Sequence, residues 1–531
     1  MKKAVSLLLA LMMALGCWSF AFAESTDATE APAATEAVAT DATATAAEEN
    51  PWANLDLSQY EEINFYVVGV MGPDWQEIVD KANELMIKKI NTKVNFIPVS
   101  WGDFQSKYSL FLAGDEDVDL IYGAAWCNYS DYVKAGAYAG FDWDFVQKYM
   151  PLTAKSQAES SWKEAEYNGK YYCVPRDDSG ISWTGVLTRQ SLLDKYGFTA
   201  SDINSYDKLI DFYYAIADGE KDSGVYAMNP QGSYPMDGSW YTTRYHYMDV
   251  NAGAADWMVW KYDTGKAFDV NDLKWFADTD DYLSFCLQMA DFYKRGVFPS
   301  SVISNDTMLD DNFQAGTSAT QYSVPSGLEG WQSKITDDTV VYMNPLWDST
   351  CVTRRGNYMG YGACFPVASK KMERAAVALD CMKNDPEVNR LLVSGVEGRH
   401  YTLDTTNNTY SAGPEAADYG WGSWCYLLQH DEDPQPKMSD EMQAFQDMYE
   451  AAEVPTDTFP LNGFKYDSSK YDAELAVISS LLNEYRFSFC FGIYGDQTEA
   501  KYHEFMDQCK AAGLDEIVQD YRDQLAAYLA K

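Results

Sequence analysis

Residues 94–126 carry two kinds of hydrophobic pattern in succession. The run VNFIPVS (94–100) is apolar and rich in β-branched and aromatic residues, which predicts a buried strand. From Phe104 onwards the apolar positions recur at helical spacing, and the segment DVDLIYGAAW (117–126) then predicts a second strand. A strand, a helix and a strand in this order form a parallel pair with a right-handed crossover. The pattern therefore predicts an α/β module.

A tryptophan stands at the end of each predicted strand of this module. Trp101 follows the first strand, and Trp126 ends the second. In open α/β sheets ligands collect beyond the carboxyl ends of the strands, so both tryptophans are candidate ligand-binding residues. The preceding part of the chain has the same pattern: residues 62–70 predict a strand, and Asp74 can cap a helix that runs to about Ile90.

The chain changes character after Pro175. Arg176 and Asp177 begin a polar, turn-prone stretch, which we interpret as a domain boundary. Further along, QGSYPMDGSWYTTRYHY (231–247) is too polar and too broken for a regular helix or strand. Long loops of this kind usually carry functional residues or cover a binding site, so the aromatic side chains of residues 231–247 are further candidates for ligand binding.

The N-terminus has the pattern of an export signal. In residues 1–23 two lysines precede an apolar stretch, and small residues stand where signal peptidase would cleave after Ala23. A glycine before Cys17 offers the alternative of lipoprotein processing and a lipid anchor at that cysteine, and both interpretations stay open. Residues 24–50 are almost entirely Ala, Thr, Glu and Asp, which predicts a disordered linker that buries no core.

Composition narrows the range of functions. The net charge of −40 argues against nucleic acid as a partner, because phosphates need a basic surface. The chain has 16 Trp and 39 Tyr; core packing takes most of them, and flat aromatic faces left over suit the stacking of sugar rings. The length after the signal exceeds one ordinary core, so at least two domains are expected.

The sequence contains no motif for a cofactor, a metal or a catalytic residue. The four histidines are scattered without metal-ligand spacing, and neither a nucleophile elbow nor a phosphate-binding loop occurs. The cysteines contain no CxxC pair, which predicts mostly buried free thiols. We therefore expect no cofactor, no metal site and no catalytic residue.

Several stretches resemble one family. WGDFQSKYSLFLAGDEDVDLIYGAAW, GAYAGFD and NGKYYCVP, in this order, resemble family 1 of the extracellular solute-binding proteins of bacterial ABC importers, in its carbohydrate-binding branch. The C-terminal third, with AVALDCMKNDPEVNRLLVSGVEGRHYTL and GFKYDSSKYDAELAVISSLLNEY, is similar to a subgroup that carries a domain of unknown function, DUF3502. The resemblance spans nearly everything after the linker.

The resemblance implies an α/β fold of the two-lobed, periplasmic-binding-protein type (type II). Each lobe is a mixed sheet flanked by helices, and a hinge lets the lobes close on a ligand. We expect residues 51–175 and about 298–360 in the N-terminal lobe. Residues 176–297 and about 361–531 are expected in the C-terminal lobe, which includes a DUF3502-like region at about 375–531.

The resemblance also implies a function. A protein of this family captures a carbohydrate, here expected to be an oligosaccharide, and delivers it to a membrane permease and its ATPase. It acts outside the cell as a monomer, and it contacts the membrane only through the permease or through a lipid anchor at Cys17. The residues expected to bind the ligand are Asp74, Trp75, Trp101, Trp126, Arg176, Asp177, Tyr234, Trp240 and Trp331.

Two other classes of protein share these properties. A secreted glycoside hydrolase would also be exported, acidic and aromatic, and it would need two opposed carboxylates in its cleft; 80 acidic residues leave room for such a pair. A structural protein of the cell wall would show neither binding nor closure. The order of the motifs favours a binding protein over an enzyme.

Overall fold

The computed structural model describes residues 50–69, 71–113, 117–127, 129–176, 185–233, 235–250, 254–261, 266–344, 353–354, 358–419, 434–454, 461 and 463–530. The described residues from Pro51 onwards form one compact unit. The predicted signal peptide and, except for Asn50, the predicted linker lie outside the described residues.

Residues 51–175 fold as their hydrophobic pattern predicts. The strand, helix and strand expected between residues 94 and 126 are present, and so are the strand and the helix expected before them. The elements are β1 (Glu61–Val68), α1 (Trp75–Ile90), β2 (Thr92–Val99), α2 (Trp101–Leu112), β3 (Leu120–Tyr122), α3 (Tyr129–Lys134), α4 (Trp143–Tyr149), α5 (Pro151–Ser156), α6 (Glu159–Ala165), β4 (Glu166–Tyr167), β5 (Lys170–Tyr171) and β6 (Val174–Pro175).

Residues 185–343 combine short strands with two long helices. Within the aromatic stretch 231–247, a π-helical turn, Asp237–Tyr241, leads into a single helical turn. The elements are β7 (Gly185–Arg189), α7 (Gln190–Tyr196), α8 (Tyr206–Gly219), α9 (Thr242–Arg244), β8 (Tyr247–Val250), β9 (Met258–Lys261), β10 (Lys274–Trp275), α10 (Asp280–Arg295), α11 (Leu309–Gln314), β11 (Thr320–Ser323), α12 (Leu328–Lys334) and β12 (Val340–Met343).

The rest of the described chain is mostly helical. A glycine with φ +99°, Gly513, separates the last two helices. The elements are β13 (Thr353–Arg354), β14 (Gly362–Cys364), α13 (Met372–Asn384), α14 (Pro386–Ser394), β15 (Tyr401–Asp404), β16 (Thr409–Ala412), β17 (Gln435–Pro436), α15 (Asp440–Ala451), β18 (Glu453–Val454), α16 (Asp472–Cys490), α17 (Thr498–Ala511) and α18 (Leu514–Leu529).

The first lobe is built on a mixed sheet with the strand order β2-β1-β3-β14-β6. Strand β1 is parallel to β2 and β3, so that Phe65 lies between Phe96 and Leu120, whereas β14 is antiparallel to β3 and to β6. Its hydrophobic core contains buried side chains from residues 52–174 and from residues 359–392. Asp380 ties the start of the unit to this core, because its carboxylate accepts a 2.9 Å hydrogen bond from Trp52 Nε1.

The second lobe has its own core, to which residues 186–343 and 461–525 contribute. Its central sheet has the order β11-β7-β12, with both outer strands antiparallel to β7, and a second antiparallel sheet has the order β10-β9-β8. Helices α16, α17 and α18 bury apolar side chains such as Ile478, Phe505 and Leu525 in the same core.

This packing differs from the division of the chain that we expect from the sequence. Residues 302–343 share a core with residues 186–298, not with the first segment of the chain. Residues 359–392 share a core with residues 52–174, and β14 completes the first sheet. Residues 302–343 and 359–392 therefore lie in the opposite lobes from those predicted, whereas residues 461–525 share the second-lobe core as expected. Strand pairing over more than 180 residues leaves no trace in local periodicity.

Two further properties concern the described part of the chain. None of its helices is long and apolar enough to cross a membrane. Its cysteines are buried free thiols, as the sequence predicts: Cys127, Cys173, Cys286, Cys364, Cys381, Cys490 and Cys509.

Candidate functional site

The carboxyl edge of the first-lobe sheet faces the second lobe. Strands β1, β2 and β3 end at this edge, and β6 ends there too, because β14 is antiparallel to both β3 and β6. The chain leaves the first lobe after Pro175, and it re-enters at Gly362, where β14 begins at the same edge. Both crossings between the lobes thus lie at this edge, and we take the space beyond these strand ends as the candidate cleft.

The facing edge of the second lobe follows from the same reasoning. Strand β7 begins at Gly185, directly after the first crossing, and β12 ends at Met343, directly before the chain returns. Strand β11 is antiparallel to β7 like β12, so it ends at this edge as well. The turn after β11 places Val324 there, with 37% of its surface exposed, and Asn344 accepts a 2.8 Å hydrogen bond from the hydroxyl of Tyr449.

Four of the predicted site residues follow the strands that end at the first-lobe edge. Asp74 comes after β1, Trp101 after β2, Trp126 after β3 and Arg176 after β6. Trp101 is the first residue of α2, and Ser100 caps that helix by accepting a hydrogen bond from the backbone N–H of Asp103. The side chains of the two tryptophans lie outside the described residues, as do Asp177 and Tyr234, so their contact with a ligand stays a prediction.

Asp74 occupies the N-cap position of α1, but its carboxylate does not cap the helix. Its Oδ2 atom instead accepts hydrogen bonds from Arg399 Nη2 at 2.6 Å and from His400 Nε2 at 3.0 Å. Within the described chain no donor contacts the other oxygen, Oδ1, and 23% of the side chain is exposed. Asp74 thus has one carboxylate oxygen held in place and one available to a ligand.

The histidine that holds Asp74 is buried, with 1% of its side chain exposed. Its Nδ1 atom accepts a 2.9 Å hydrogen bond from the backbone N–H of Val396. The proton of a neutral imidazole must then be on Nε2, which points at Asp74. The ring of Tyr419 stacks on His400 at 5.2 Å, and the backbone N–H of Asp74 donates to the carbonyl of Asp418, so this segment covers the start of α1.

Arg399 connects three carboxylates at the first-lobe edge, beside the start of α1; we call this part of the edge the rim. Its guanidinium donates to Asp74 at 2.6 Å, to Glu415 at 2.6 Å and to both oxygens of Glu77 at 3.0 Å. Hydrogen bonds from Lys81 and Arg399 lower the pKa of Glu77 to about 2. Hydrogen bonds to Glu415 and Glu77 in turn raise the pKa of Arg399 above its usual range. Glu77 is therefore ionised, and the three side chains together fix the arginine at the start of α1.

In the described chain, this cluster contains three side chains whose ligand atoms lie close enough together to bind a metal ion. Ligand atoms of Asp74, His400 and Glu415 lie within 4.8 Å of one another. Arg399 donates hydrogen bonds to both carboxylates of the triad, so a positive charge already occupies the position that a cation would take. The cluster fits a network that orders the rim better than it fits a metal centre.

Arg176 and Tyr361 form the second ordered feature of this edge. The Arg176 guanidinium carbon lies 4.8 Å from the centre of the Tyr361 ring, a cation–π distance. The backbone N–H of Arg176 donates to the carbonyls of Tyr361 and Tyr358 at 3.2 and 3.3 Å. The residue that leaves the first lobe and the residues that re-enter it are thus joined directly.

Three predicted site tryptophans are buried instead of facing the cleft. Trp240 is 1% exposed, and Tyr206, Tyr213 and Phe292 surround its ring in the second-lobe core. A ring covered in this way offers no face to a sugar, so Trp240 belongs to the core and not to the binding surface.

The other two are packed nearly as closely. Trp75 is 8% exposed, and its ring meets Phe96 edge-on at 5.3 Å. Trp331 is 9% exposed in a separate apolar cluster, where it contacts Phe313 at 5.3 Å and lies under Lys334 at 4.5 Å. Neither ring has a free face for stacking in this structure; their part in ligand binding stays a prediction that the packing does not favour.

The sequence interpretation missed the residues that organise the site. Arg399 and His400 lie 325 and 326 positions from Asp74, so no local pattern connects them. The signal that was available is the motif GVEGRHYTL, in which two basic side chains stand in a tight turn of an otherwise weakly charged stretch. Tyr361 gives no such signal, because one tyrosine among 39 is not distinctive.

Comparison with known proteins identifies relatives of this chain. Residues 460–530 match the model of a domain of unknown function, DUF3502, a narrower region than the sequence motifs suggested. Over 479 residues the chain is 21% identical to a protein of Streptococcus pneumoniae serotype 4 named carbohydrate ABC transporter substrate-binding protein. That alignment covers 88% of this chain and 91% of the relative.

Solved structures share the fold. The N-glycan transport solute-binding protein NgtS of Streptococcus pneumoniae, in complex with Man1GlcNAc, superposes with a TM-score of 0.71 at 19% identity and covers 89% of this chain and 100% of its own. The same protein in complex with Man5GlcNAc gives a TM-score of 0.69 at 18% identity, covering 88% and 99%. The two-lobed α/β fold and the resemblance drawn from the sequence are thereby confirmed.

Proposed function

We propose that this chain is the extracellular substrate-binding component of a bacterial ABC importer and that it captures an oligosaccharide between its lobes. The observation that carries the proposal is the similarity, over 88% of the chain, to a protein named carbohydrate ABC transporter substrate-binding protein. The glycan complexes of NgtS, which has the same fold, support a sugar as the ligand. Both observations favour binding over the hydrolysis that a secreted glycosidase would perform.

The first-lobe edge has chemistry that suits a sugar. A pyranose presents apolar C–H faces and a ring of hydroxyls, so its site combines aromatic surfaces with a few fixed hydrogen-bonding groups. Asp74 Oδ1 is a fixed acceptor, and Arg176 over Tyr361 combines a donor with an aromatic ring. Trp101 and Trp126 follow the two strands that flank β1 at the same edge, and we retain both, with Asp177, as predicted contacts.

The proposed mechanism uses the hinge between the lobes. The lobes of such a protein close when both contact the ligand, and the closed form is recognised by the transporter. The partners would be a membrane permease and an ATPase. The protein would act outside the cell after export, held by the linker and, in the lipoprotein alternative, by an acylated Cys17.

Calorimetric titration of the chain from residue 51 with a defined panel tests the proposal. The panel contains Man1GlcNAc, Man5GlcNAc and the fructan trisaccharide kestose. We expect saturable binding of at least one sugar with one site per chain, and no new reducing ends after prolonged incubation. A ligand at about 100 times its dissociation constant should stabilise the protein by about 2.7 kcal/mol, which a thermal scan detects. Absence of binding across the panel, or release of hydrolysis products, would contradict the proposal.

Substitutions at the rim test the position of the site. Asp74→Asn and Arg176→Met should each weaken sugar binding by about tenfold or more, since loss of one charge-assisted hydrogen bond costs about 1.5–3 kcal/mol. Asp80→Asn is the matched control, because Asp80 is an exposed residue of the same helix whose carboxylate accepts a hydrogen bond from Gln76. Equal affinity in all three variants would place the sugar elsewhere.

A further inference from the structure

Among the described residues, the DUF3502 region contacts the first lobe beside the hinge. Lys465 Nζ donates a 2.8 Å hydrogen bond to the backbone carbonyl of Glu164, in the last turn of α6. In the same place Lys163 Nζ lies 6.0 Å from the centre of the Tyr528 ring. The two lysines belong to different lobes and reach in opposite directions, so the contact is reciprocal.

The contact is close as well as polar. Gly463 has φ +73°, and a Cβ atom added there would lie 2.8 Å from Lys163 Cε and 3.0 Å from the Tyr528 hydroxyl. Only a glycine both adopts this backbone conformation readily and leaves room for the lysine stem. The aliphatic part of Lys163 therefore rests against the backbone of residue 463.

The segment 463–467, which we name the brace, is held firmly on its own lobe. Phe464 packs against Tyr521 at 5.3 Å, and Tyr466 packs against the same ring at 4.6 Å. The side-chain amide of Gln524 accepts from the N–H of Asp467 at 2.9 Å and donates to its carbonyl at 3.0 Å. Residues 464 and 466 thus face α18, and Lys465 between them projects towards the first lobe.

Helix α6 is held equally firmly, and at the hinge. Trp162 anchors it in the first-lobe core with 2% exposure. Ser160 Oγ donates to the hydroxyl of Tyr358 at 3.2 Å, where the chain re-enters the lobe. Just before the helix, Gln157 Nε2 donates to the carbonyl of Pro175 at 3.0 Å, where the chain leaves it. A movement of either crossing segment must therefore move α6 or break one of these bonds.

We propose that the brace and Tyr528 form an interlobe docking surface for α6, through which the DUF3502 region sets the angle between the lobes. A charge interaction also crosses the lobe boundary beside this surface, between Asp467 of the brace and Lys134 of α3. Ser469, and across the lobe boundary Lys134, hold the pKa of Asp467 below its usual range. This role gives DUF3502 a mechanical function, distinct from ligand binding, in the opening and closing of the cleft.

The test compares variants that remove only the interlobe donors. Lys465→Met and Lys163→Met keep the aliphatic stems and lose the ammonium groups. Lys470→Met is the matched control: its ammonium lies 3.4 Å from Asp520, so that ion pair stays inside the second lobe. Small-angle X-ray scattering without sugar reports the separation of the lobes, and amide hydrogen exchange of residues 157–171 reports the freedom of α6.

We expect the Lys163→Met/Lys465→Met double variant to have a larger radius of gyration than the wild type and severalfold faster exchange in α6. The control should match the wild type in both measurements. An unchanged scattering curve and unchanged exchange in the double variant would overturn the proposal. Because no sugar is used, this outcome leaves the proposed transport function standing, and a failure to bind sugars leaves the brace standing.

Discussion

His400 donates its Nε2–H to Asp74 Oδ2 at 3.0 Å, across 326 positions of the sequence, while its Nδ1 accepts the N–H of Val396 at 2.9 Å. The two bonds use both nitrogens of the ring, so the histidine links the backbone of the turn at Val396 directly to Asp74 at the start of α1. Asp74 is consequently placed by a segment of the chain that enters the first lobe only after residues 185–343 have passed through the second lobe.

The first prediction concerns this histidine. His400→Ala should lower the free energy of unfolding by about 2 kcal/mol, because it removes the acceptor of the Val396 N–H and one of the two donors to Asp74 Oδ2, and it empties the space of a buried ring. His400→Gln, which can still reach Asp74 with an amide N–H, should bind sugar more tightly than His400→Asn. Denaturant unfolding and calorimetry measure the two effects. The control is His503→Ala on the exposed side of α17, which should stay within about 0.5 kcal/mol of the wild type. Equal stability of His400→Ala and the wild type would refute the role of the ring.

A second prediction separates packing from ligand contact at Trp331. Because this ring lies in an apolar cluster with Phe313, Trp331→Ala should lower the free energy of unfolding by about 3–5 kcal/mol. Trp331→Phe should lose much less, since it keeps most of the buried surface. Sugar affinity, measured on folded protein, should change little in either variant. A large loss of affinity with intact stability would instead make Trp331 a stacking platform.

A third prediction concerns pH. Burial raises the pKa of Asp380 to about 6, although hydrogen bonds from Thr153, Leu152 and Trp52 oppose the shift. In the unfolded chain the pKa is about 3.9, so between these values the folded state keeps a proton that the unfolded state has lost. Stability from this group is therefore full below pH 4 and falls by about 3 kcal/mol as the pH rises through 6.

The variant Asp380→Asn tests this sign. Its absolute stability should be lower, since the amide nitrogen cannot accept the bonds from Trp52 and Leu152. The difference in unfolding free energy between wild type and variant should nevertheless shrink as the pH rises from 4 to 6.5. Urea titrations at several pH values give this difference. A gap that stays constant or widens as the pH rises would show that burial does not raise the pKa of Asp380.

A fourth prediction concerns the attachment of the aromatic loop to the DUF3502 region. Asp237, fully buried in the π-helical turn, accepts two hydrogen bonds from Arg486 of α16, at 2.7 and 2.8 Å. Arg486→Met should cost about 3–5 kcal/mol, because it leaves a buried carboxylate unpaired. The double variant Asp237→Asn/Arg486→Met should recover much of that loss. Thermal unfolding of the wild type, Asp237→Asn, Arg486→Met and the double variant gives the coupling energy between the two side chains. A stability loss in the double variant equal to the sum of the two single losses would contradict the prediction.

The sequence predicts elements better than it predicts their partners. Strand β1, helix α1 and the module from β2 to β3 follow from local periodicity. The pairing of β14 with β3 and β6 does not, since it joins strands that are far apart in the chain. For this reason the order of elements was predictable and the lobe membership of the later segments was not.

The same limit applies to the site. That the strand ends of the first lobe carry candidate residues follows from the module itself. The sequence alone does not show whether Trp240 is buried or exposed, because a tryptophan side chain is equally suited to packing in a core and to stacking on a sugar ring. The environment of Asp74 depends on Arg399, which arrives from another segment. Its interpretation as a helix cap was chemically reasonable and wrong in detail, because an arginine competes better for the carboxylate than a backbone N–H.

The central claim is that a sugar binds between the lobes, at the carboxyl edge of the first-lobe sheet. A crystal structure of the chain with the sugar of the panel that binds most tightly tests it directly. We predict density for the sugar between that edge and the turn after β11, with a hydroxyl within hydrogen-bond distance of Asp74 Oδ1. Sugar bound on an outer face of either lobe, with the space beyond the strand ends empty, would contradict the account.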